Sequence, residues 1–255
     1  MLIAAATGGG SDARFYGEMR RDILADPAMA QRAPRFIRTC RDAGAFWEFI
    51  KGKFAHYSER RTFIRAELDP LLTLRARADL GSLRGPRRFP VLERAIAAAS
   101  RSDFRIVHFS VQGDHLHLIA EAHDKAALSS GMRGLMIRAA RALNCVVGRS
   151  GPVWADRYHC RELGTPREVR NALVYVLLNS RKHGRDVAAL DPCSSARWFD
   201  GWRNHDPVVD LAVDPPTVVA PRTWLLGVGW RRHGLVRLDV GPRDGAHFET
   251  PRERR

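Results

Sequence analysis

Two histidines one residue apart, His115 and His117, lie in the stretch GDHLHLIAEA from Gly113 to Ala122, an apolar run with an acidic residue on each side. Side chains alternate across a strand, so both imidazoles would share one face, close enough to hold one ion. Taken alone, such a pair in a strand is more often two hydrogen-bonded or solvated histidines. A second set of reactive groups follows at helical spacing. Residues three and four apart share a helix face, which puts Glu168, Asn171, Tyr175, Asn179 and Lys182 on a polar stripe, with Val169, Leu173 and Leu177 roughly opposite. A tyrosine so placed reads, on its own, as an amphipathic side chain at a core margin. Asn179, one turn further on, can offer an amide oxygen to a hard cation, and a basic residue near the hydroxyl can hold a phosphate. Tyr158, within the basic motif WADRYH, lacks an amide partner one turn away.

The elements that must carry these groups are legible from periodicity and punctuation. Residues from about Asp12 to Leu68 read as helical, with Phe46, Phe49, Ile50 and Phe54 at helical spacing, until Asp69-Pro70 breaks the pattern. LLTLRAR then alternates Leu72, Leu74 and Ala76 against Thr73, Arg75 and Arg77, a half-buried strand. A loop over 81–86 leads into a helix over FPVLERAIAAAS. FRIVHFSVQ is the next strand, with Val107, Phe109 and Val111 on one face, and Gly113-Asp114 turns the chain back into the histidine strand. Leu116, Leu118 and Ala120 are the natural core side of that strand, leaving the histidines on the open face of the sheet.

A long helix is predicted from Lys125 to Val147, with Leu128, Met132, Leu135, Met136, Ala139 and Leu143 as its buried stripe, ended by Gly148, Gly151 and Pro152. WADRYHCREL is a fourth strand. Thr165, Pro166 and Glu168 form a capping box that starts a helix running to about His183. Strand, helix, strand, strand, helix, strand is the order of an α+β, ferredoxin-like split βαβ sheet with helices on one face. Beyond Gly201 the chain is rich in Pro, Gly and Arg, with short apolar runs such as TWLLGVGW.

Composition narrows the partners. Among 255 residues, 42 Lys and Arg against 28 Asp and Glu give a formal net charge of +14, and arginine dominates. Its planar fork suits phosphate, so a polyanionic partner is the first inference; arginine-rich codon usage would give the same charge without a ligand. No apolar run approaches the roughly 18 residues that span a bilayer, and MLIAAATGGG lacks the charged and apolar regions of an export signal, so a cytoplasmic location is expected. Cys40, Cys145, Cys160 and Cys193 are scattered without a C-x-x-C pair, which argues against a zinc ribbon or a disulfide framework. No G-x-x-x-x-G-K-[ST] phosphate loop is present.

Taken together and in order, VQGDHLHLIAEA, GPVWADRYH and YVLLNSRKHG resemble the HUH single-tyrosine transposases of bacterial insertion sequences, IS200-like proteins and their relatives associated with repetitive extragenic palindromes. The likeness covers about Leu71 to Trp202, and RTWLLGVGWRRHG resembles the tail of some members. It departs from the family pattern where Gly113-Asp114 replaces proline-asparagine and Ser180 replaces proline. The resemblance implies an HUH endonuclease fold in which His115, His117 and Asn179 ligate Mg²⁺ or Mn²⁺ and Tyr175 is the nucleophile, preferred over the competing Tyr158 because only Tyr175 has an amide partner one turn away. It implies cleavage and rejoining of single-stranded DNA near hairpins or palindromes through a 5'-phosphotyrosine, with a homodimer as one assembly. Arg133, Arg138, Arg141, Arg157, Arg161, Arg181 and Lys182 are the candidate DNA contacts.

The expected organisation is a helical N-terminal extension over 1–69, read as a fused fragment, a catalytic domain over 70–203, and an irregular basic tail over 204–255. The alternatives are a non-catalytic nucleic-acid binder, which would carry stacking aromatics on its open sheet face, and a metal-dependent hydrolase recruiting His115, His117 and His159 or Cys160.

Overall fold

The computed structural model describes residues 8–25, 27–32, 37–38, 42, 45, 68–180, 190–203 and 215–239. Phe46, Phe49, Ile50 and Phe54 lie outside them. The chain divides into two compact units, one formed by residues 1–66 with 224–229, the other by 67–223 with 230–255. In the first unit, α1 (Gly8–Ala25) is followed by α2 (Pro27–Arg32). Met19 and Ile37 are buried, Arg20 Nε donates to the Ile37 carbonyl at 3.0 Å, and Trp224 Nε1 donates to Asp22 Oδ2 at 3.3 Å.

The second unit carries the predicted α+β order: β1 (Pro70–Arg75), α3 (Phe89–Ala97), β2 (Phe104–Val111), β3 (His115–Ala122), α4 (Lys125–Val147), β4 (His159–Glu162) and α5 (Pro166–Leu177). The sheet runs β2-β3-β1-β4 with every neighbouring pair antiparallel, the ferredoxin-like arrangement. Helices α3 and α4 cover one face, where Leu72, Leu74, Phe109, Val111, Leu116, Leu118 and Ala120 meet Leu92, Ile96, Met132, Leu135, Ala139 and Leu143 in a single core. Close approach of α4 depends on Gly131, since a Cβ there would lie 2.2 Å from Phe104 Cγ. Asp124 caps α4 by accepting the Ala127 N–H at 2.7 Å, and Gly148, at φ 69°, ends it in the left-handed conformation that glycine adopts without steric penalty.

Several expectations change. Val107 was expected beside Phe109 and Val111, but Ile106 pairs with Ala120 and His108 with Ile119, so Val107 is the extra residue of a β-bulge. Phe104 and Ile106 therefore supply the core before the bulge, and Phe109 and Val111 after it. The fourth strand has four residues rather than ten; Trp154 makes only an isolated bridge to Ala76. Helix α5 stops at Leu177 instead of near His183, where Asn179 and Ser180 follow in a tighter turn; short polar side chains of this kind compete for backbone hydrogen bonds and favour helix ends.

The histidine face is not open either. Helix α5 packs on β2 and β3 from that side and buries Val169, Ala172, Leu173, Val176 and Leu177, none of which joins the α3/α4 core. A helix with that much apolar surface needs a second sheet face, because α3 and α4 fill the first.

Two later segments line the β2 edge, one at the end of the expected catalytic domain and one within 215–239, part of the expected basic tail. Residues 191–195 run along the β2 edge, with Val111 N–H donating to the Cys193 carbonyl at 2.8 Å and the Phe109 N–H to Ser195 Oγ at 3.0 Å. Arg84 fastens this segment through a buried two-pronged pair with Asp191 at 2.9 and 2.6 Å. Further along the edge, Val219 N–H donates to the Ile106 carbonyl, and buried Glu121 accepts Arg105 Nε at 3.1 Å and the N–H groups of Arg222 and Thr223 at 2.6 and 2.8 Å. Phe199, Trp202 and Trp230 form an aromatic cluster in the same unit. Together these segments cover an edge strand that would otherwise expose unpaired backbone groups.

Candidate active site

Alternation places His115, His117, Thr73, Ser110 and Gln112 on the sheet face opposite Leu116 and Leu118, and pairing sets them in rows. Thr73 and Ser110 flank His117 in register, and Arg75 lies opposite His115. The two imidazoles meet edge to face, with ring centroids 4.6 Å apart. They differ in exposure: His117 is fully buried, whereas His115 keeps 14 % of its side chain in solvent.

Each ring is held at Nδ1. Asp114 Oδ1 lies 2.7 Å from His115 Nδ1, and Asp114 Oδ2 accepts Arg75 Nη2 at 3.1 Å. Burial alone would raise the Asp114 carboxyl, but the hydrogen bond and charge of His115 and the charge of Arg75 outweigh it and hold the group below the usual carboxylate range. An ionised carboxylate only accepts, so a proton sits on His115 Nδ1, and in the neutral ring Nε2 is the nitrogen left to ligate. For His117, Nδ1 lies 3.0 Å from Thr73 Oγ1 and Nε2 lies 3.3 Å from the Tyr175 hydroxyl. A hydroxyl can donate or accept, so either neutral tautomer of His117 satisfies both contacts; a cation at Nε2 would require the one in which Nδ1–H donates to Thr73.

Tyr175 reaches this position because α5 is anchored at its first turn. Thr165 Oγ1 accepts the Glu168 N–H at 3.2 Å, while Glu168 Oε2 accepts the Gly164 N–H at 2.7 Å, one residue earlier than a standard capping box would place it. Arg161 on β4 lies 3.6 Å from Glu168 Oε1, tying helix to sheet. The ring of Tyr175 packs edge to face on His117 with centroids 4.8 Å apart and is 2 % exposed. The polar stripe read from the sequence is thus divided: Tyr175 and Asn179 are buried, and Asn171 is exposed. Tyr158 packs against the α3/α4 core on the other side of the sheet.

The donor set suits a cation that takes nitrogen and oxygen ligands. Oxygen partners hold both imidazoles at Nδ1, as the far nitrogen of a metal-ligating histidine is usually held, and buried Asn179 follows Tyr175 by four residues. No three His, Cys, Asp or Glu side chains form a metal-holding group among the described residues. The zinc-hydrolase alternative loses its donors: His159 pairs with Thr73, one strand away from His117, and Cys160 pairs with Leu72, whose side chain is in the α3/α4 core.

The candidate DNA contacts fall in different places. Arg133, Arg138 and Arg141 are exposed along α4, Arg157 is exposed just before β4, and Arg161 is engaged with Glu168. Arg181 and Lys182 lie outside the described residues. Sequence reasoning missed Thr73 and Asp114 as the groups that orient the histidines. Thr73 reads as an ordinary strand residue, and only strand pairing brings it to His117; the adjacency of Asp114 to His115 was the one available signal.

Residues 83–177 match the family model described as Transposase IS200 like, a span that includes both histidines, Tyr158 and Tyr175 and stops short of Asn179. A solved structure described as "Structure of the REP associates tyrosine transposase bound to a REP hairpin" is similar at 19 % identity, covering 61 % of this chain and 87 % of that chain with a TM-score of 0.42. No curated protein matches the chain. Among the described residues, no helix is long and apolar enough to cross a membrane.

Proposed function

We propose, with the IS200-like transposase match over residues 83–177 as the premise, that this protein cleaves and rejoins single-stranded DNA beside hairpin structures. The observation that carries the reading is the 3.3 Å approach of the Tyr175 hydroxyl to His117 Nε2, between groups 58 residues apart. In this reading the Tyr175 oxygen attacks a phosphodiester, forming a 5'-phosphotyrosine and releasing a free 3' hydroxyl. Attack by a second 3' hydroxyl reverses the step, so the phosphoester bond energy is kept and no nucleotide cofactor is needed.

A tyrosine hydroxyl titrates near 10 and needs help at neutral pH. His115, His117 and Asn179 would hold Mg²⁺ or Mn²⁺, whose chemistry when bound is to polarise the scissile phosphate. Thr73 and Asp114 fix the two rings, and exposed arginines bind the DNA backbone. With His117 fully buried and Tyr175 2 % exposed, a phosphate reaches the hydroxyl only if part of the chain covering it moves. That burial favours a second reading, a DNA-binding protein that does not cut.

The test is incubation with single-stranded DNA carrying a hairpin and Mn²⁺, followed by denaturing electrophoresis. The parent should give a denaturation-resistant adduct, Tyr175→Phe should lose it and Tyr158→Phe should keep it. Removing one hydroxyl should alter stability by about 1 kcal/mol. A shifted band with no adduct from the parent supports the non-cutting reading; an adduct from Tyr175→Phe at the parental rate makes Tyr158 the nucleophile.

A further inference from the structure

We propose that a cleft on the other side of the sheet, between α4 and the segment entering β4, binds one unpaired nucleotide of single-stranded DNA. The inference rests on the strand-transfer reading and adds to it a place where the strand is held away from the reacting tyrosine. The cleft is about 660 Å³, within the range of small-ligand sites. One wall is a stripe of α4 at helical spacing that includes Arg133, Met136, Ile137 and Ala140; the other includes Trp154 and Arg157.

Three features point to a nucleotide. Trp154 is a fixed aromatic wall, because its Nε1 donates to the Met136 carbonyl at 3.0 Å and its backbone bridges to Ala76. Ile137, 48 % exposed, leaves a large apolar side chain in water at the rim, a surface that a base could cover. Arg133 and Arg157 are exposed and have no ion-pair partner among the described residues, so two guanidinium groups remain for phosphate. An apolar ligand would leave those charges unused. A base in a duplex is already stacked on its neighbours, so an unpaired one fits best.

The cleft is also tied to the reacting end of the sheet. The Ala155 N–H donates to the carbonyl of Arg75, the residue paired with His115.

The test uses the full chain and a fluorescent ten-nucleotide oligothymidine, read by anisotropy across a salt series, with duplex DNA of equal length as the comparison. Trp154→Leu should weaken oligothymidine binding about tenfold and leave duplex binding unchanged, with Trp154→Phe restoring most of it. Arg133→Ala should weaken both and reduce the salt slope by about one. Because Trp154 also packs, Ile137→Ser serves as an exposed second probe and should weaken oligothymidine binding alone. Parental oligothymidine affinity in Ile137→Ser and Arg133→Ala overturns the site, as does equal weakening of single-stranded and duplex binding by Trp154→Leu. If the parent forms no adduct while these binding changes hold, strand transfer fails and the nucleotide site stands.

Discussion

Replacing Thr73 by valine tests the geometry of the site without touching a reacting atom. Valine has nearly the same shape and β-branching, so the strand and its packing should be kept, and only the hydroxyl 3.0 Å from His117 Nδ1 is lost. Thr73 is 7 % exposed and His117 is fully buried, so water cannot take over the hydroxyl's place. Leaving a buried ring nitrogen unsatisfied costs about 1–3 kcal/mol. The functional loss should be larger in proportion, because removing a group that orients a ligating histidine typically costs about 10–100-fold in metal affinity or activity. Urea unfolding gives the first quantity, and the Mn²⁺ dependence of adduct formation gives the second. We expect Thr73→Val to be folded, less stable by that amount, and in need of at least about tenfold more Mn²⁺, with Thr73→Ser close to the parent in Mn²⁺ requirement. A folded Thr73→Val with the parental Mn²⁺ dependence would show that the hydroxyl does not orient His117.

Two further outcomes follow from buried polar groups of the same unit. His108 is enclosed beside Ser195 and Phe199, and burial pushes its imidazole from 6.5 down to about 3. The folded state keeps it neutral while the unfolded state protonates below 6.5, so its contribution is fully present above that pH and fades as pH falls toward 3; the loss reaches about 2 kcal/mol by pH 5. Urea midpoints at pH 7 and pH 5 should therefore fall further for the parent than for His108→Gln, and equal falls would refute the assignment. Asp191→Ala strands the Arg84 guanidinium, 8 % exposed, without its carboxylate and should cost about 3–5 kcal/mol. Replacing both partners with Arg84→Met and Asp191→Leu should cost less, since the charge needing compensation goes too; a thermal melt in which the double variant is the less stable would contradict this.

Much of the positioning machinery could be read from the chain itself. The strand and helix order, the span of α4 from Lys125 to Val147 and its stop at Gly148 follow from local periodicity and from residues with particular backbone preferences. So does the division of β3 into a leucine side and a histidine side, which needs only the alternation of a strand. The capping residues Thr165 and Glu168 likewise announce where α5 begins.

What the sequence by itself left undecided depends on groups distant along the chain. The bulge at Val107 leaves no mark in composition, because Phe104 through Val111 is apolar enough to fit either phase, and pairing with β3 selects one. Whether the histidine face stayed open depended on where α5 would dock, a matter of which sheet face was already filled by α3 and α4. That docking turns Tyr175 toward His117, while Tyr158, just before β4, packs on the α3/α4 side, and the two candidates that sequence could rank only by a neighbouring amide are separated. Thr73 acquires its role in the same way: antiparallel register sets it beside His117, and a residue 44 positions earlier in the chain orients the ring.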